Sequence, residues 1–143
     1  MLNATQMLLR VQQFGKLYKK LQSDICDKYD LSHVELDVLL FLNNNPQCDT
    51  AKDIVELRGL AKSYVSKAVD LLIKKKLIST FEDKHDRRII HLNLEEKSKG
   101  IIEEGQISQY NFLEILYKNI SPEEREIHQK VLNQMSDNIR EVL

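Results

Sequence analysis

Apolar residues recur through residues 4–29 as a near-heptad: Met7, Val11, Phe14, Tyr18, Leu21 and Ile25 lie 4, 3, 4, 3 and 4 positions apart. That spacing aligns them on one face of a single long helix. Leu8 and Leu17 widen the stripe, while Lys16, Lys19 and Lys20 fall outside it. "DKYD" breaks the pattern, and "LSHVELDVLLFLNNNP" begins a second helix. There Ser32 and Glu35 have capping-box spacing, Val34, Val38, Leu39 and Leu42 form the buried face, and "NNNP" stops the chain. A third helix starts after Thr50 as N-cap and ends at Gly59, offering Ala51, Ile54, Val55 and Leu57 for packing. A fourth covers Lys62 to Lys76, with Val65, Val69, Leu72 and Ile73 inward.

The period then changes. Leu77–Phe81 and Arg88–Leu94 alternate every second residue, so Ile90, Leu92 and Leu94 share one face while Ile89 and His91 take the other. The residues between, "EDKHDR", form a hairpin tip. After "EEKSKG" helix resumes to about Lys118. A last helix opens at "SPEE", with Ser121 as cap, Pro122 in the first turn and Glu124 closing the box. Ile127, Val131, Met135, Ile139 and Val142 stripe this final helix.

Two short helices joined by "GLAK" and followed at once by a hairpin make a winged helix-turn-helix. The second helix of such a pair fits the major groove, and a basic hairpin tip reaches phosphates or the narrow minor groove. The residues suit that division. Lys62, Ser63, Tyr64, Ser66 and Lys67 occupy the first turns of the fourth helix. Lys84, His85, Arg87 and Arg88 cluster at the tip, where Asp86 is placed to bond Arg88 two residues on and aim its guanidinium.

Charge sharpens this picture. The chain of 143 residues has a formal net charge of −1, yet residues 50–91 contain ten Lys/Arg against six Asp/Glu. Local charge, not the total, governs phosphate binding. Composition excludes other classes. No apolar run approaches the roughly 20 residues of a membrane span, and "MLNATQMLLR" lacks the form of a secretory signal. With Cys26 and Cys48 as the sole cysteines, a cytoplasmic protein without a disulfide framework is expected. No phosphate loop, nucleophile elbow or metal-ligand motif appears, so neither catalysis nor a cofactor is expected.

In residues 60–100 the resemblance becomes specific. "LAKSYVSKAVDLLIKKKLI" resembles the recognition helix of the MarR family of bacterial transcriptional regulators, through Leu60, Lys62, Ser63, Val65, Ser66, Val69, Asp70, Leu72, Lys75, Leu77 and Ile78. The wing matches that family at Asp83, Asp86, Arg88, Leu92, Leu94 and Gly100. The sequence departs from the pattern at Ala61, where a capping Ser is usual. It departs also at Tyr64, where a small Thr is usual, and at His85, where Arg is common. Glu95 takes a usual Thr position.

The resemblance implies a mainly α fold with a small β-hairpin wing, as one domain over residues 1–143. Residues 31–95 would be the DNA-binding core, and 1–30 and 96–143 a helical dimerisation region. It implies a ligand-responsive repressor that binds a pseudopalindromic operator in double-stranded promoter DNA as a homodimer, with a small-molecule effector near the junction of the two regions. The long stripes agree, since with Ile101, Ile102, Ile107, Phe112, Leu113, Ile115 and Leu116 they exceed what one small winged helix covers.

Alternatives stand beside this. Lys74–Lys76 could clamp phosphate, but lysines at a helix C-terminus also satisfy the helix dipole without DNA. Met7, Phe14 and Tyr18 could line an effector pocket or simply form dimer core. Cys26 raises redox sensing by the same fold, and His33 with Cys26 raises metal sensing, although no histidine spacing signals zinc. A winged-helix scaffold for another protein, without DNA binding, is the other class.

Overall fold

The computed structural model describes residues 1–143. In chain order the elements are α1 (Ala4–Tyr29), α2 (His33–Asn44), α3 (Ala51–Arg58), α4 (Lys62–Lys74), β1 (Ile78–Glu82), β2 (Ile90–Leu94), α5 (Lys99–Leu116) and α6 (Pro122–Val142). A single 3-10 turn, Glu96–Ser98, leads into α5. The chain divides into two compact units, Met1–Tyr110 and Asn111–Leu143.

The first unit is organised around α2. Leu36, Val38, Leu39, Leu40, Phe41 and Leu42 are all buried, so this helix is enclosed on nearly every side, beyond the one face that its spacing predicts. Ile54 from α3, Val65, Ala68, Val69 and Leu72 from α4, Ile78 and Leu92 from the hairpin, and Ile101 and Ile102 from α5 complete the core. Burial of each such side chain stabilises by about 1.5–3 kcal/mol, which fixes α3 and α4 as a rigid pair. At Gly105 α5 passes so close to α2 that a Cβ would stand 2.7 Å from Leu40 Cδ2.

Four helices begin with a reciprocal capping box: Asn3 with Gln6, Ser32 with Glu35, Thr50 with Asp53 and Ser121 with Glu124. The Ser32, Thr50 and Ser121 caps stand where the sequence places them. Gly59 closes α3 in the left-handed conformation at φ 71°, which a residue without Cβ adopts freely.

Several expectations are corrected. The fourth helix ends at Lys74, because Lys76 turns to φ 62° to enter the hairpin. The strands pair antiparallel from Ile78↔Leu94 to Glu82↔Ile90, so the tip runs over residues 83–89. Leu57 and Ile73 are exposed, and Ala68, which the spacing did not single out, is buried. Val34 is only half-buried. Ile90 is exposed although it shares a face with buried Leu92, since the hairpin projects beyond the core at that level.

The long stripes are open. In α1 only Gln22, Ile25 and Cys26 are buried, while Met7, Val11 and Phe14 are exposed. In the second unit α6 buries no residue, and Ile127, Val131, Met135, Ile139 and Val142 all face solvent.

Candidate nucleic-acid interface

The helix-turn-helix presents α4 through its apolar side. Val65 and Leu72 are fully buried, which turns Lys62, Ser63, Tyr64, Ser66 and Lys67 outward. None of their side chains forms a hydrogen bond or ion pair within the chain, and Tyr64 is 64% exposed. Ala61 at the N-cap offers no side-chain bond. The first amides of α4 therefore point into solvent beside Lys62, the arrangement that binds an anion.

The wing tip is built differently. Asp86 Oδ1 accepts from the Arg88 backbone N–H at 3.0 Å and from Nε at 3.1 Å, and Oδ2 accepts from Nη2 at 3.0 Å. This bidentate grip is the one the two-residue spacing predicts, and it leaves the Arg88 side chain 90% exposed. The same bonds lower the Asp86 carboxyl below its usual range and raise Arg88, so both stay charged. Asp83 Oδ2 accepts from the His85 and Asp86 amides at 2.9 and 3.0 Å, closing the turn. The side chains of Lys84, His85 and Arg87 are exposed and unpaired.

A further group ties the wing to the core. His91 on β2 contacts Asp83 Oδ1 through Nε2 at 2.8 Å and Asp49 Oδ1 through Nδ1 at 2.6 Å. The Phe81 ring stacks on the imidazole, with centroids 4.9 Å apart. Beside this cluster the Leu92 N–H donates to the Asp49 carbonyl at 2.7 Å. Hydrogen bonding from Asp83 and then Asp49 raises the His91 pKa, and the same His91 bond is the first cause lowering Asp83. Sequence reasoning missed both His91 and Asp49. Alternation gave the face of His91, but nothing local signals a partner 42 residues away.

At the other end of α4, Lys75 is an internal group. Its Nζ donates to the Asp30 carbonyl at 2.6 Å and to buried Glu35 at 2.8 Å. Cys26 is 5% exposed, and burial together with Asp37, Asp27 and Glu35 pushes its thiol upward, opposite to what a sensing thiolate needs. His33 Nδ1 lies 3.8 Å from its sulfur.

The winged-helix geometry has counterparts among known proteins. Residues 29–89, which contain α2, α3, α4, β1 and the wing tip, match the family model described as MarR family. In this segment the chain is similar to the MarR family. It is 31% identical over 103 residues to the uncharacterized HTH-type transcriptional regulator YfiV of Bacillus subtilis (strain 168). That match covers 69% of this chain and 61% of YfiV, so the chain spans about three-fifths of that relative. A MarR protein from Peptoclostridium difficile superposes with a TM-score of 0.80 at 23% identity, over 97% of this chain and 92% of that one. MepR of S. aureus, solved as a MepR–DNA complex, superposes with a TM-score of 0.76 at 19% identity, over 96% of each chain. At these identities the two structures establish the winged-helix MarR fold. No helix of the protein is long and apolar enough to cross a membrane.

Proposed function

We propose that the protein is a sequence-specific, double-stranded DNA-binding transcriptional regulator. One observation carries this: a recognition helix with uncapped, cationic and unpaired first turns shares a rigid unit with a wing whose Arg88 is held in solvent by Asp86. Ser63, Tyr64 and Lys67 face the major groove, Ser63 and Tyr64 toward base edges and Lys67 toward a phosphate. Lys62 and Ser66 meet the sugar-phosphate backbone, Arg88 enters the minor groove, and Lys84, Arg87 and, when protonated, His85 meet phosphates. The MepR–DNA complex supports the same use of this fold.

The operating form is a homodimer on a pseudopalindromic operator. Exposed apolar stripes on α1 and α6, left uncovered in a single chain, support it. Two-fold symmetry then sets half-sites about one helical turn apart, roughly 34 Å. Regulation is repression relieved by a small molecule. A cleft of about 420 Å³ lined by Tyr29, Lys75, Leu77, Lys97 and Ile101 lies where α1, the α4–β1 connection and the start of α5 meet, and is large enough for such an effector. An effector preferring the non-binding form by ~100-fold would weaken operator affinity by about 2.7 kcal/mol.

The test is selection of bound sequences from random duplex DNA, followed by a salt titration of the selected site with light scattering in parallel. The expected results are a two-fold symmetric motif, a steep loss of affinity with salt, and a dimer. Absence of binding to any duplex would leave the protein-interaction scaffold as the function.

A further inference from the structure

Asp49, His91 and Asp83 form a continuous polar bridge from the α2–α3 connection to the base of the wing. Both partners of the imidazole are carboxylates, and both contacts are short, at 2.6 and 2.8 Å. A neutral imidazole has one N–H and one acceptor nitrogen, so it can donate to only one carboxylate and would face the other with a lone pair. Imidazolium donates to both. The bridge continues through the Asp83 carboxylate to the Asp86 amide, and through Asp86 to the Arg88 guanidinium. At its other end Asp49 directly precedes Thr50, the cap of α3, the helix packed on α4.

Apolar packing alone does not fix the outer hairpin, since Phe81, Ile89 and Ile90 are all exposed. We propose that His91 is a positioning residue for DNA binding: as imidazolium it locks the wing to the α2–α3 connection and so sets where Arg88 stands relative to the recognition helix. The proposal rests on the DNA-binding function proposed above.

The pH dependence follows from the groups around the ring. Asp49 from the α2–α3 connection and Asp83 from the wing are the charged groups against it, and the neighbour from β1 is the non-titrating Phe81. His91 is raised above its ordinary value, so its contribution is fully present below about pH 6.5 and is lost as pH rises through the folded-state value. Asp83 is lowered, so its contribution is present above the ordinary carboxylate range and is lost only as pH falls through that lowered value. The bridge is therefore closed between the lowered Asp83 titration and the raised His91 titration, and opens above the latter. Above the His91 titration, DNA binding must take up a proton to close it again, and affinity falls.

The experiment measures operator affinity by fluorescence anisotropy at fixed salt from pH 6 to 9. It uses the full-length wild type, His91→Ala, Asp49→Asn and His85→Gln, with the His91 ring followed by NMR in the free protein. Wild type should lose about fivefold or more in affinity across the alkaline limb. His91→Ala should bind weakly throughout, without that limb. Asp49→Asn is the decisive variant. A carboxamide can donate to neutral Nδ1 while Nε2–H still serves Asp83, so binding should remain tight and nearly flat with pH. His85→Gln should keep the limb, which separates the bridge from simple charge at the tip. Two outcomes would overturn the proposal: a His91→Ala profile identical to wild type, or a His91 that titrates at its ordinary value in the free protein. Failure of the wild type to bind any duplex at any pH refutes the DNA-binding function instead, while the ring titration still judges the bridge.

Discussion

The recognition helix and the wing, proposed to meet the same DNA, are held in place by opposite means. α4 is seated by Val65, Ala68, Val69 and Leu72 in the apolar core, and its outward side chains have no internal partners. The wing tip buries almost nothing apolar and is held by charged hydrogen bonds through Asp83, Asp86, Arg88 and His91. Hydrophobic seating is indifferent to pH and to exposed charge. A seat made of ionised groups responds to both. The helix is thus a fixed platform with adaptable side chains, and the wing is an adjustable platform with a fixed side chain.

The largest test of this contrast is Leu72→Ala. It should destabilise folding by about 2–5 kcal/mol, the range for a buried leucine, as read by urea denaturation. Arg88→Ala, on the wing, should leave folding nearly unchanged while weakening the operator complex by about 1–3 kcal/mol per half-site. An Arg88→Ala that lowers stability as much as Leu72→Ala would erase the distinction.

Asp86→Ala should weaken operator binding in the same direction by a smaller amount. Removing a negative charge from a DNA-facing surface would by charge alone tighten binding, so the sign isolates the value of holding the guanidinium ready. Tighter binding by Asp86→Ala in fluorescence anisotropy would mean that the grip on Arg88 has no role. The smallest effect is expected at the free side chains of α4. Lys67→Ala should reduce the salt slope by about one and weaken all duplexes alike, whereas Tyr64→Ala should change which sequences are selected. An unchanged motif after selection with Tyr64→Ala would mean that the helix is turned differently in the groove.

What was legible in the sequence follows range along the chain. The Ser32–Glu35 and Ser121–Glu124 boxes and the Asp86–Arg88 pair each join residues two or three positions apart, and their chemistry is complete within the local segment. The bridge through His91 was not legible, because Asp49 arrives from 42 residues away through the tertiary fold. Leu57 and Ile73 failed for a related reason. An apolar stripe states which residues can pack, but only the neighbouring element decides which edge is covered, and on α4 the covered edge is the one that carries Ala68. The outward residues of α4 were readable because the opposite face is strongly apolar.

The missing cap at Ala61 bears on the lifetime of the proposed DNA complex. Four other helices complete their first turn from within the chain, whereas α4 has no side chain to do so. In the proposed complex its leading amides would exchange water for a phosphate oxygen once the helix is seated. A serine at that place would supply an internal acceptor, worth about 1 kcal/mol to the free helix, and that acceptor would compete with the phosphate. The alanine leaves the donor set vacant, so the gain from filling it appears in the residence time of the bound complex and not in the resting stability of the free one.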